Sequence, residues 1–137
     1  MVITRAAFGG LAGGFVSIFT SWLIVGVLFH RFQRATPATW RSEGPKQYAL
    51  ASALNVFTGL ALGVLLGATG GVSAVAESSW LVQGLVFGGL CWVSLPLPMQ
   101  LTGALFVNFH RGFVLGSILD SLVTCLLCGL GAAWATA

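Results

Sequence analysis

The sequence predicts an all-α membrane protein, four spanning helices packed as an up-down-up-down bundle. Hydrophobic residues make up 57% of the 137-residue chain and charged residues only 7%, against about a quarter charged in a soluble domain. The apolar residues fall into four runs, at about 8–30, 46–68, 80–106 and 112–134. Each run can supply the ~20 residues that carry a helix across a bilayer. The connections between them are short, which makes successive helices antiparallel neighbours. A soluble fold of this length could not hide so much apolar surface, and the chain has room for a single domain. Its net charge of +3 is no nucleic-acid signal, because the basic residues sit beside the hydrophobic ends. The three cysteines all lie inside apolar runs and give no extracellular disulfide framework.

The first run is too long for a signal-peptide core and ends in charge rather than at a small-residue cleavage site. Gly9, Gly13, Ser17 and Ser21 recur in it every four residues, a small-residue stripe suited to close helix packing. The loop 31–45 carries Arg31, Arg34, Arg41, Glu43 and Trp40, a composition suited to the headgroup region, and Thr36-Pro37 can start a short surface helix. Gly44-Pro45 marks the start of the second run, since proline is tolerated in a helix's first turn. There Gly59, Gly63 and Gly67 form a second ridge, on a face shared with Asn55. The third run is longer than a ~30 Å hydrocarbon core at ~1.5 Å per residue, so it must tilt or bend. Pro96 and Pro98 supply the bend, each lacking an N–H and clashing one turn back.

The fourth run is where the rest converge. Asp120 lies about eight residues inside it, and an ionisable side chain is costly there without a partner. At 100° per residue Gly116, Ser117, Asp120, Thr124 and Gly131 share one side, and aliphatic residues take the other. Counted from the basic ends of the helices, Asp120 lies on the order of 12 Å deep, and Asn55, Ser21 and Gln100 reach similar depth. Every helix therefore offers a hydrogen-bonding side chain to one layer. As scaffold, such a layer holds the bundle in register, each bond worth ~0.6–2 kcal/mol. As a site, it binds or passes a proton or small solute.

Two further patterns have alternative readings. Phe-His-Arg occurs at 29–31 and again at 109–111; His30 and His110 could hold a haem, a chlorophyll or a metal, or simply face lipid phosphates beside their arginines. Cys125 and Cys128 have C-x-x-C spacing, but leucines separate them inside a membrane helix and nothing nearby lowers a thiol pKa. Charge sets orientation. Arg31, Arg34, Arg41, Lys46 and Arg111 flank one side and only Arg5 the other, which puts the loop 31–45 in the cytoplasm and both termini outside.

Four short spans, a Trp-bearing basic loop after the first, an inner turn before the last and a closing tryptophan resemble a widespread bacterial family of small four-helix inner-membrane proteins of unknown function. Members tend to end the first helix with Gly-x-x-Trp-Tyr, where this chain has Gly26-Val27-Leu28-Phe29-His30. The resemblance implies a fold and a bacterial inner-membrane location, and it carries over no functional residue. The expected function is binding or passage of a proton or small solute at Asp120, Asn55, Ser21, Gln100 and Thr124. The alternatives are a non-catalytic accessory subunit that docks through its glycine ridges, and, third, a membrane thiol oxidoreductase. The expected partners are the lipid bilayer and further copies or a larger membrane complex. No catalytic residue, metal site or cofactor is expected apart from the histidine alternative.

Overall fold

The computed structural model describes residues 1–40 and 44–137; Arg41 and Glu43, counted above among the loop charges, lie outside the described residues. It contains four helices long and apolar enough to cross a membrane, Val2–Leu28, Pro45–Thr69, Trp80–Phe106 and Arg111–Trp134. The chain is an all-α protein, and its composition and helix lengths are those of a membrane protein. The first helix starts at Val2, earlier than the apolar run alone suggests, so Arg5 lies within it rather than ahead of it.

The first span has two parts. Helix α1, Val2–Ser21, continues as a π-helical segment, Trp22–Leu28, closed by a bond from the Phe29 amide to the Ile24 carbonyl, five residues back, at 2.9 Å. Each π turn holds extra chain, so everything beyond Ser21 is rotated relative to a continuous α-helix. A one-turn helix α2, His30–Gln33, follows. The turn expected from Thr36-Pro37 is a 3₁₀ segment, Pro37–Thr39.

Helix α3 spans Pro45–Thr69, with Pro45 in its first turn and Gly70 ending it at φ 69°, ψ 19°. That left-handed conformation suits a residue without Cβ. The third span is broken rather than smoothly bent. Helix α4, Trp80–Ser94, stops at Leu95 (φ −127°, ψ −66°), and α5, Pro96–Phe106, starts on the first proline. Helix α6, Arg111–Trp134, closes the fold.

Packing departs from a bundle in which each span touches the next. The helices form a row, α3–α1–α6–α4, in which α3 also reaches α6 and α5 leans on α6. The consecutive helices α3 and α4 make no substantial backbone contact; instead α1 and α6 occupy the middle. The reason is the distribution of glycine. Between membrane helices no hydrophobic force acts, so van der Waals fit decides who packs on whom, and α1 carries glycine on two faces. Gly10 and Gly14 meet Gly59 and the Asn55 carbonyl of α3, while Gly9 and Gly13 meet Gly131 and the Leu127 carbonyl of α6. On its far side α6 presents Gly129 and the Cys125 carbonyl to Gly84 and Gly88 of α4.

The four spans converge near the termini. There Ala6, Leu66, Phe87, Ala132 and Ala133 form the buried cluster, with Leu62, Val72 and Cys91 packed on it. Phe87 lines the space that α3 and α4 leave between them, a cavity of about 440 Å³ bounded also by Leu65 and Thr69 of α3 and Leu90 and Cys91 of α4. At the opposite end, which carries Arg31 and Arg111 and is called the basic end below, the helices separate. Residues 45–51 of α3 are exposed, and α5 buries no residue.

Candidate functional site: a polar layer divided by α6

The polar side chains expected to form one layer form two clusters on either side of α6. The first unites three spans. Asn55 Nδ2 of α3 donates to Ser21 Oγ, the last residue of α1, at 3.1 Å, and the Ser21 hydroxyl lies beside the Asp120 carboxyl of α6. A serine oxygen has two lone pairs and one hydrogen. With Asn55 filling a lone pair, the Ser21 hydrogen is free to point at the carboxylate. Asp120 Oδ1 is buried and has no hydrogen-bond partner among the described residues. Asn55 of the same layer pairs with Ser21 rather than with Asp120 itself.

The backbone explains why these groups meet. The glycine contacts between α1 and α3 run from Gly67 against Ile3 to Gly14 against the Asn55 carbonyl, and Asn55 and Ser21 come at the end of that seam. Ser17, fully buried one turn before Ser21, turns its hydroxyl back to the Gly14 carbonyl at 2.7 Å. Thr124 is buried on α6 one turn beyond Asp120. Beyond Ser21 the π segment resets the register, and Phe29 and Phe32 come to rest on Gly116 and Gly112 of α6.

Gln100 belongs to the second cluster, away from Asp120. Its Nε2 donates to the Ser117 carbonyl at 3.0 Å, and its Oε1 accepts from Ser121 Oγ at 3.2 Å. Ser121 also accepts the indole N–H of Trp92, from α4, at 3.1 Å. Trp92 was not among the residues singled out from sequence. The available signal was its indole N–H in mid-span, which requires an acceptor when it is buried.

The two Phe-His-Arg copies have different surroundings. His110 is the N-cap of α6, its Nδ1 accepting the Gly112 amide at 3.0 Å. Its ring stacks on Phe32 at 4.8 Å and 13°, and the Arg31 guanidinium lies 4.7 Å from the same Phe32 ring. Nδ1 is therefore the acceptor, so in the neutral ring the proton sits on Nε2, which can donate a hydrogen bond but holds no lone pair for a haem iron or metal. His30 begins α2, and no contact between the two imidazoles is among the ring pairs found. Trp40 packs edge-on against Phe113 at 4.4 Å, and Thr39 Oγ1 donates to the Asn108 carbonyl at 3.3 Å, tying the first loop to the turn before α6. Among the described residues no three His, Cys, Asp or Glu side chains converge closely enough to hold a metal ion. Cys91, Cys125 and Cys128 are free thiols, and the last two are buried in the α6 seams.

The chemical capacity of the first cluster is specific. It sets one hydroxyl beside a carboxyl group whose Oδ1 is buried without a partner among the described residues, an arrangement that a proton or the donor group of a small solute can complete. No family model, no curated protein and no solved structure matches the chain.

Proposed function

We propose that the protein binds a proton, or the donor group of a small solute, at Asp120 within the bilayer. The observation that carries this reading is the unpartnered Asp120 Oδ1 beside the Asn55–Ser21 relay. A polar group left unpaired in a dry interior costs roughly 1–3 kcal/mol, and intramembrane carboxyls are found where they mark proton or ion pathways. The α-to-π transition directly after Ser21 supports the same reading, since π segments concentrate at functional sites. The charge asymmetry supports a cytoplasmic basic end with external termini, and the layout supports a bacterial inner membrane.

The test uses the three acidic residues of the chain, Glu43, Glu77 and Asp120; of the two among the described residues, only Asp120 lies within a span. A membrane-permeant carbodiimide reacts with protonated carboxyls and leaves a stable acylurea. In proteoliposomes it should modify the α6 peptide, more so as pH falls, and Asp120→Asn should remove the adduct. Modification of Glu77 with none at Asp120, or labelling of Asp120 that ignores pH, would defeat the proposal.

A second reading, assembly into an oligomer or larger complex, is supported by the exposed start of α3 at 45–51 and by the exposed α5.

A further inference from the structure

We infer that α5 is a hinged half-helix, latched onto α6 by Gln100 and able to swing about Leu95 to uncover the Ser117–Ser121 face of α6. The inference rests on the fold and the second polar cluster, and it stands or falls independently of the Asp120 reading.

The hinge is a real interruption. Leu95 leaves helical geometry, and Pro96 and Pro98 contribute no amide hydrogens, so the ladder is thinned there, although Leu95 still donates to the Cys91 carbonyl at 3.2 Å and accepts from the Met99 amide at 3.3 Å. The moving part is lightly held. No residue of α5 is buried, and Met99 and Phe106 are 72% and 84% exposed. By contrast α4 is fixed on the other side of the hinge, with Gly84 and Gly88 seated against the α6 backbone and Trp92 bonded to Ser121.

The latch has two settings. Ser121 Oγ carries a single hydrogen, and two acceptors compete for it: Gln100 Oε1 at 3.2 Å and its own-helix Ile118 carbonyl at 3.0 Å. When Gln100 leaves, the Ser121 hydrogen falls back on Ile118, and its lone pair stays with Trp92. The released state therefore strands no donor on α6, and its cost falls on Gln100, whose amide gives up two bonds and must find new partners. The far end of α5 runs into the turn whose Asn108 carbonyl takes the Thr39 hydroxyl, so motion there would be felt by the first loop.

The chain supplies its own reporter, because Met99 on α5 is one of only two methionines. Full-length protein labelled with ¹³C-methyl methionine in nanodiscs should give two signals, assigned by Met99→Leu. The Met99 methyl should show two-state exchange on the microsecond-to-millisecond scale or a second resolved peak. Gln100→Leu should shift the population ratio toward the minor state by roughly eightfold to three-hundredfold, the worth of the two intramembrane hydrogen bonds it removes. Gln100→Asn, shorter by one methylene and still polar, should shift it in the same direction. Replacing both Pro96 and Pro98 by Ala should collapse the signal to one state. A single, exchange-free Met99 signal in the unaltered protein that Gln100→Asn leaves in place would overturn the inference.

Discussion

Gly59→Ala adds one methyl group and should destabilise the fold by about 1–3 kcal/mol, the range for overpacking a filled interior. The magnitude comes from the α1–α3 seam. A Cβ at Gly59 would stand 2.9 Å from both N and Cα of Gly14 and closer still to the Gly10 carbonyl oxygen, where ordinary contact begins at about 3.4 Å. The helices would have to part by ~0.5 Å or more, and a gap of that size forfeits a quarter to a half of each dispersion contact along the seam. Backbone atoms line the contact, so no side chain can rotate away to absorb the methyl. The same substitution at Gly89 or Gly103 meets nothing within 4 Å. There it should be neutral or stabilising by ~0.5–1 kcal/mol, because alanine loses less conformational freedom in a helix. Reversible unfolding in mixed micelles with increasing SDS, followed by circular dichroism, reads all three variants against the parent. Equal stability of Gly59→Ala and Gly89→Ala would refute the account of the packing.

Two further outcomes follow from the same geometry. Asp120→Leu should leave stability within about 1 kcal/mol of the parent or raise it, because Asn55 keeps its bond to Ser21 and an unpaired buried oxygen is removed; a loss above ~3 kcal/mol in the SDS titration would mean that the carboxyl is structural. On orientation, an impermeant thiol reagent should label a cysteine placed at Ser73 from outside and one placed at Ala35 only after permeabilisation, and the reverse pattern would invert the proposed topology.

Much of the fold was legible because membrane spanning is a property of local composition. The bounds of the third span, 80–106, coincide with the apolar run, those of the second differ by one residue at each end, and the fourth differs by one residue at its start. Neighbour order was not legible in the same way. Short connections suggest that consecutive spans pack together, but α1 carries glycine on two faces, and the pairs GlyGly at 9–10 and 13–14 decide its neighbours. Reading those pairs as one stripe, Gly9 and Gly13 alone, misses the half that meets α3. Depth counting located Asp120, Asn55, Ser21 and Gln100 in one layer, since rise per residue is nearly constant. It could not assign them to sides. Asp120 and Ser121 are neighbours in sequence but 100° apart around α6, and that rotation separates the Ser21 cluster from the Gln100 cluster. The π segment left no signal in the periodicity, because its residues, Trp22–Leu28, are uniformly apolar.

The position of the polar layer within the packing bears on why one carboxyl oxygen lacks a partner. Toward the termini, the glycine seams fix the helices backbone to backbone, and a polar group there would have every neighbour specified by the fold. Toward the basic end, α3 is exposed from 45 to 51 and α5 buries nothing, so fewer neighbours are fixed by packing there. Asn55 and Ser21 come at the last point where α1 and α3 are still in register, and Asp120 meets them there. Its Ser21 side is set by the α1–α3 seam, while Oδ1 has no partner among the described residues. A carboxyl at that boundary can change its hydrogen-bond complement without breaking a glycine seam, which a carboxyl ten ångströms nearer the termini could not do at ~1.5 Å of rise per residue. The same division explains why the substitution that deletes the unpartnered oxygen, Asp120→Leu, should spare stability while removing the adduct-forming group. Stability resides in the seams, and the chemistry sits where they end.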